Sequence, residues 1–278
     1  MSAPACVRSL MQDCGLPRLE ARMLLEHVLQ RPRAWLLAHD TDALADTVVA
    51  QFGALVRRRQ AGEPMAYLVG HREFMGHRFA VRPGVLIPRP DTELLVETAL
   101  AHIRTHGESG RSCHVLDMGC GSGAIAISLA LAGGMHARVT ALDISTAALA
   151  IATENAATLG ADVRFLASDW FAGLPEHETF DLIVSNPPYI AQDDPHLGEG
   201  DLRFEPRRAL TDGADGLADI GRLARGAPAR LNAGGALWIE HGWTQAQAVR
   251  ECLRRAGFTR VASLHDLAGI ERISGGYL

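Results

Sequence analysis

No cysteine pair, no metal-binding motif, no basic excess and no secretion signal can be found in this sequence, and each absence excludes something. The five cysteines, Cys6, Cys14, Cys113, Cys120 and Cys252, are odd in number and include no C-x-x-C. They are expected to be free thiols in a reducing compartment, which points to the cytoplasm. The twelve histidines are scattered, with no H-E-x-x-H and no paired Cys/His zinc spacing, so no metal is expected. Lys and Arg number 27 against 32 Asp and Glu, a net charge of −5. The sequence pI is about 6.2, whereas a nucleic-acid-binding domain usually exceeds about 9. Direct nucleic-acid contact is therefore not expected. No apolar signal core precedes Asp13. The one long run without Asp, Glu, Lys or Arg, Met118–Ala137, approaches the ~18 residues of a membrane span. It opens on Gly119-Cys120-Gly121-Ser122-Gly123 and closes on Gly133-Gly134, so a loop and a short buried helix explain it and no membrane contact is expected.

What is present is an ordinary soluble composition, 47% hydrophobic and 21% charged over 278 residues, enough for one large domain or a large and a small one. Residues 1–70 read as helical. Leu19, Met23, Leu24, Val28 and Leu29 are spaced for one helix face after Leu16-Pro17-Arg18, and a second helix is expected from about Leu44 to Arg59. Its terminal Arg57-Arg58-Arg59 suits a helix C-terminus, with RNA contact as the alternative. Residues 71–91 read as a linker, a hairpin around Gly76 followed by Arg82-Pro83-Gly84 and Ile87-Pro88-Arg89-Pro90. Over residues 92–278 strands and helices alternate. Strands are expected at Cys113–Asp117, Arg138–Asp143, Val163–Ala167, Asp181–Ser185 and Ala236–Glu240. Helices are expected at Ala124–Leu131, Thr146–Leu159, Gly216–Leu231 and Gln245–Ala256. That pattern predicts an α/β fold with a mostly parallel, doubly wound sheet, with Thr259–His265 and Ile270–Tyr277 as an antiparallel edge pair.

Two segments carry chemistry. In Val115-Leu116-Asp117-Met118-Gly119-Cys120-Gly121-Ser122-Gly123 an apolar strand runs into glycines and then a helix, which lets backbone approach a ligand closely. Gly119, Gly121 and Ala124, with Asp143 about twenty residues on, fit a relaxed dinucleotide fingerprint. The alternative is the D-x-G-x-G-x-G loop of S-adenosylmethionine-dependent methyltransferases. There Asp117 accepts from the cofactor ammonium, directly or through water, where it would repel a pyrophosphate. Asp143 can take both ribose hydroxyls. In Ser168-Asp169-Trp170, Asp169 can accept from the adenine amino group and Trp170 can stack on the ring, or Trp170 is a core aromatic.

The second segment is Ser185-Asn186-Pro187-Pro188-Tyr189, after the strand Leu182-Ile183-Val184. Its prolines stiffen the loop. An amide or exocyclic amino nitrogen is a poor nucleophile because its lone pair is delocalised. The Asn186 side-chain oxygen and the Pro187 carbonyl can accept the two hydrogens of such an NH2 group, holding the nitrogen in line with a sulfonium methyl and favouring its developing positive charge. Tyr189 is expected to stack on the flat target group.

With these residues in hand, the sequence resembles the HemK/PrmC family, bacterial protein-(glutamine N5) methyltransferases of class 1 peptide-chain release factors. The resemblance runs over nearly the whole chain. It is carried by Arg58-Arg59 with Gly62-Glu63-Pro64, Arg72-Glu73-Phe74, Leu86-Ile87-Pro88-Arg89-Pro90-Asp91-Thr92-Glu93, the glycine loop, Ser168-Asp169-Trp170 and Ser185–Ile190. It continues through Asp194–Leu197, Arg203–Pro206, Glu240–Trp243 and Glu271-Arg272. It implies a Rossmann-like class I methyltransferase sheet preceded by a small helical N-terminal domain that docks substrate, and the glutamine of a Gly-Gly-Gln loop as target. Asn186, Pro187, Pro188 and Tyr189 would bind that glutamine, with Asn186 and Pro187 catalytic. Asp117, Gly119, Cys120, Gly121, Ser122, Gly123, Asp143, Asp169, Trp170 and Asn186 would hold S-adenosylmethionine. Relatives often have Thr where this chain has Cys120, a residue of similar size. Arg89-Pro90-Asp91 is either a stiff linker or a wall of the cofactor pocket, and the acidic loop Asp193–Glu205 either meets the protein substrate or is solvated.

Three other functions compete. Base N-methylation on DNA or RNA uses the same tetrapeptide but needs a nucleic-acid platform that the charge does not suggest. A non-enzymatic cofactor-binding module would not need an intact Asn186–Tyr189, and an NAD-dependent oxidoreductase would need a hydride-transfer constellation that is not seen. A monomer is expected.

Overall fold

The computed structural model describes residues 4–278, which fall into two compact units meeting between His71 and Arg72. The first is all helix: α1 (Val7–Asp13), α2 (Arg18–Leu29), α3 (Arg33–Ala38), α4 (Asp46–Gln60) and α5 (Met65–Val69). Ala21, Leu24 and Leu25 of α2 share one face and pack with Phe52, Val56, Leu36 and Leu68 in a core of their own. The face expected from the sequence is shifted here. Leu24 is buried, whereas Met23, Val28 and Leu29 are only partly covered and Leu19 is 57% exposed. At the end of α4, Arg59 makes a two-pronged ion pair with Glu20 of α2 at 2.7 and 2.8 Å, and Arg58 one with Glu63 at 2.6 and 2.7 Å. Two of the three arginines thus tie the helical unit together.

The second unit starts in a hairpin, β1 (His71–Phe74) and β2 (His77–Ala80), whose Phe74 and Phe79 meet edge to face inside its main core. Residues expected to serve as a linker are therefore packed: the carboxylate of Glu93 accepts from the Met75 amide at 2.8 Å, and Asn155 bonds both the N–H and the C=O of Ala80.

Then come α6 (Glu93–Glu108), β3 (Cys113–Met118), α7 (Ala124–Gly133), β4 (Ala137–Asp143), α8 (Thr146–Leu159), β5 (Val163–Ala167), β6 (Phe180–Ser185), α9 (Ala218–Gly226), β7 (Leu231–Glu240), α10 (Ala246–Arg255), β8 (Thr259–His265) and β9 (Glu271–Tyr277). The seven strands lie in the order β5-β4-β3-β6-β7-β9-β8, the first five parallel and β9 antiparallel to both its neighbours, β7 and β8. Strand alternation divides the buried residues between two faces. Val115, Leu182 and Val184 join one core with α6 and α7, while Leu116, Met118 and Ile183 join the other with α9 and α10. Helix α7 is buried nearly all round, which is why it carries no charge. Among the described residues no helix is long and apolar enough to cross a membrane. The helix expected over Gly216–Leu231 is shorter, because Pro228 turns residues 227–230 into a tighter helical turn, and β7 starts five residues earlier than expected.

The topology sets the position of any site. Chain order runs outward from β3 through β4 to β5, then crosses back to β6 on the other side of β3. A crevice opens at such a reversal, beyond the carboxyl ends of the strands. Those ends are level, Met118 pairing with Leu142 on one side and Ser185 on the other.

Candidate active site

Three strand ends feed this crevice. From β3 the chain turns through the glycine loop. Gly121 takes a φ of +56° with open space where a side chain would project, and Gly123 caps α7 at +81°, where a Cβ would come within 2.8 Å of Ile127. Both positions need glycine for their left-handed backbone, and Gly123 also for close packing. Asp117 lies on the α7 face of β3, fully buried. Its Oδ2 accepts from the Ala126 amide at 3.1 Å, and its Oδ1 has no partner. Burial, with a smaller push from the Asp143 carboxylate, raises its pKa to about 7.

Asp143 ends β4, and its two oxygens accept from the Gly121 and Ser145 amides at 2.9 and 2.8 Å. The carboxylate is thereby fixed against the glycine loop with lone pairs remaining. Beyond β5, Ser168 donates to the Trp170 carbonyl and accepts from Gly173 N–H, bracing Trp170 at a φ of +48°. That left-handed conformation is costly for a bulky residue and is held by its surroundings. The indole N–H donates to Asp219 at 3.1 Å, and the ring packs partly against the second core. Trp170 is therefore both a core aromatic and a wall. Asp169 is half exposed and pairs with Arg222 at 3.3 Å.

From β6, the Ser185 hydroxyl donates to the Met118 carbonyl at 2.7 Å and locks the two strand ends together. Asn186 follows, its Nδ2 donating to the Thr92 hydroxyl at 3.1 Å. Thr92 and Tyr189 both bring their hydroxyls to the buried carboxyl of Glu240, at the end of β7, with Tyr189 donating to Oε1 at 3.4 Å. Glu240 Oε2 has no partner, and burial raises the group's pKa to about 7, helped by Asp91 and opposed by the two hydroxyls and Arg272. Thr92 gives its proton toward Glu240, so its lone pair receives the Asn186 amide N–H. This orients the amide and leaves Oδ1 as an acceptor.

Beside these strand ends lies a cavity of about 530 Å³. Of the residues expected from the sequence, Gly119, Gly121, Asp143, Asp169, Trp170, Asn186 and Pro188 line it. Asp117, Cys120, Ser122 and Pro187 sit behind that wall, all buried, and Gly123 supports it from α7. Tyr189 is not on the wall either. Its ring packs partly into the second core, its carbonyl accepts from Gln245 at 2.9 Å, and burial raises its hydroxyl pKa. Here Tyr189 acts as an anchor for the loop, where the sequence suggested a stacking face.

The opposite wall was not anticipated. Gly84–Leu86 and Pro206–Asp212 contribute to it. They are joined by Glu205, whose side chain is fully buried and which accepts from the Ile87 amide at 2.9 Å and pairs with Arg89. Burial pushes the Glu205 pKa up, and Arg89 opposes that. The acidic loop is thus not simply solvated, since its last residue clamps the I-P-R-P segment. Ile87 and Glu205 lie 118 residues apart, so the motifs were visible in the sequence but their contact was not.

Comparison with known proteins gives the following. Residues 5–70 match a family described as the PrmC N-terminal domain, and residues 109–252 one described as a methyltransferase domain. A Bordetella pertussis protein named release factor glutamine methyltransferase is 63% identical over 98% of this chain and 99% of its own length. Proteins of the same name are 52% identical in Burkholderia pseudomallei (99% and 97% covered) and 42% identical in Escherichia coli K12 (96% and 95% covered). Among solved structures, a Pyrococcus furiosus methyltransferase matches 80% of this chain and 96% of its own at a TM-score of 0.55 and 17% identity. A T. thermophilus 16S rRNA methyltransferase solved with AdoMet and guanosine matches 74% of this chain and 49% of its own at a TM-score of 0.53 and 23% identity. These structural likenesses establish the fold.

Proposed function

Because the chain belongs to the release factor glutamine methyltransferases, we propose that it methylates the side-chain amide nitrogen, N5, of the glutamine in the Gly-Gly-Gln loop of class 1 release factors, using S-adenosylmethionine. The observation that carries this reading is the Asn186 amide, latched by Thr92 at the wall of the cavity with its oxygen left as an acceptor.

The residues suit the methyl donor. The unpartnered, buried Oδ1 of Asp117 calls for a hydrogen-bond donor or a cation, which the ammonium of an amino acid supplies directly or through water. Asp143 offers two fixed oxygens to a ribose diol, and Trp170 a flat wall beside Gly119 for a purine. We assign Asp117, Gly119, Cys120, Gly121, Ser122, Gly123, Asp143, Asp169, Trp170 and Asn186 to holding the cofactor, several of them by shaping the loop from behind. When bound, S-adenosylmethionine supplies an electrophilic methyl on a sulfonium.

Asn186 and Pro187 then handle the target. The Asn186 Oδ1 and the Pro187 carbonyl would accept the two N–H bonds of the glutamine amide and so orient its nitrogen. Both acceptors would stabilise the positive charge that develops on that nitrogen as it takes the methyl group. The surplus proton then leaves to water, and no general base is required beforehand. Pro188 lines the glutamine's approach, and Tyr189, fastened to Glu240, keeps the loop still.

Residues 1–70, with a hydrophobic core of their own, serve to dock the release factor, residues 71–91 join them to the transfer domain, and residues 92–278 perform the transfer. The chain acts as a monomer in the cytoplasm, where its substrate is found. Asn186→Ala tests the central role: turnover is expected to be lost outright, whereas S-adenosylhomocysteine binding is only weakened and circular dichroism is unchanged. Full turnover by that variant would remove Asn186 from the mechanism.

A further inference from the structure

At the opposite end of β3 from the methyl-transfer crevice, three side chains with no part in the proposed reaction converge. His102 and His106 lie one turn apart on α6, four residues being the spacing that places two side chains on the same helix face. Their rings are 4.7 Å apart between centroids. Cys113, fully buried, opens β3 beside them. One ligating atom from each of the three lies within 4.8 Å of the other two. Around a tetrahedral zinc, N and S ligands stand about 3.3–3.6 Å apart, so modest side-chain rotation closes the set.

We propose that His102, His106 and Cys113 form a structural site for a zinc-type divalent ion, pinning α6 to the start of β3.

Two further observations favour a cation there. The His102 Nε2 is buried with no hydrogen-bond partner, an orphan that a metal would satisfy. Asp181 places its charge beside all three residues, while its own oxygens are held by the His114 amide and the Asn232 side chain. Its negative charge favours a cation in their midst. The donors themselves select the ion, because imidazole and thiolate suit zinc, not magnesium or calcium. On binding, the Cys113 S–H bond gives way to S–metal and one proton passes to solvent. Three protein ligands leave the fourth position to water. From Cys113 to Met118 the strand covers about 16 Å at its usual rise, so the ion would act on stability, not on methyl transfer.

The test uses the full chain with cobalt(II), then zinc(II), as probes. One equivalent of cobalt is expected to give thiolate-to-cobalt charge-transfer absorption, displaced by one equivalent of zinc. The triple variant Cys6→Ser, Cys14→Ser, Cys252→Ser is expected to keep that absorption, and Cys113→Ser to lose it. His106→Gln, at a partly exposed position, is expected to weaken cobalt binding by more than about tenfold with an unchanged circular dichroism spectrum. Zinc is expected to raise the melting temperature of the parent chain reversibly with chelator, and to leave methyl transfer unaltered. Absence of the thiolate band at one equivalent, its persistence in Cys113→Ser, or unweakened binding in folded His106→Gln would each overturn the site.

Discussion

Replacing Thr92 by valine keeps the side-chain shape and removes one hydroxyl, the one that holds the Asn186 amide at 3.1 Å and faces Glu240. Thr92 is buried and does not line the cavity, so the change spares the walls. Two consequences are separable. For stability, the buried Glu240 carboxyl and the Asn186 amide each lose a partner, costing about 1–3 kcal/mol in all. For turnover, the Asn186 amide loses the bond that fixes which end points at the substrate. A hydrogen bond of about 0.5–1.5 kcal/mol corresponds to a roughly 2–13-fold lower kcat, rising toward about 100-fold if the acceptor moves by an ångström. The assay is steady-state methylation of a release factor, with S-adenosylhomocysteine affinity measured by calorimetry on the same sample. The expected pattern is a lowered kcat with cofactor affinity retained, and recovery in Thr92→Ser. A folded Thr92→Val enzyme with the parent kcat would refute the claim that Thr92 orients Asn186.

Other perturbations follow from the same geometry. Asp143→Ala is expected to weaken cofactor binding by about 1.5–3 kcal/mol, through the loss of charge-assisted hydrogen bonds, and unchanged calorimetric affinity would contradict its placement. Glu205→Ala removes a buried partner from Arg89, itself about one-third exposed, and releases the Ile87 amide. About 3 kcal/mol of stability should be lost in urea unfolding, with weaker cofactor binding as the wall loosens, and parent-like values in both would count against the clamp. Asp117 gives a pH signature. Unfolded, it ionises near 3.8, whereas in the fold it keeps its proton to about 7. The unfolded state therefore loses that proton first, and the group's contribution to the stability of the cofactor-free protein falls as pH rises from about 4 to about 7, by at most about 4 kcal/mol. Urea unfolding of Asp117→Asn should lack that slope, and parallel pH profiles for the two proteins would show that Asp117 is not so buried.

The sheet was legible because its parallel strands are covered on both faces, so that Leu182-Ile183-Val184 and Val115-Leu116 read as apolar runs, each ending in a loop with an unusual backbone requirement. The cofactor and target loops were legible for the same reason: glycines and prolines mark them locally. What escaped was long-range. Thr92 and Asn186 are 94 residues apart and Ile87 and Glu205 118, and no local pattern foretells which polar group a buried carboxyl will meet. The sequence suggests a stacking face at Tyr189 because it follows Asn186-Pro187-Pro188, but the side chain follows Glu240 inward. Leu19 was assigned to the buried face of α2 from spacing that also fits a face one residue away, where the smaller Ala21 packs. The histidines seemed scattered until α6 set His102 and His106 on one side, facing a cysteine across a loop.

Methylation of the Gly-Gly-Gln glutamine can be measured directly. The purified chain is incubated with S-adenosylmethionine and an unmethylated class 1 release factor, and the peptides are sequenced by mass spectrometry. The predicted result is a mass gain of one methylene on the glutamine of the Gly-Gly-Gln loop and nowhere else, absent with Asn186→Ala. Cofactor bound but no gain on that glutamine would contradict the proposed substrate and move the search to other amino or amide nitrogens, a nucleic-acid base first among them.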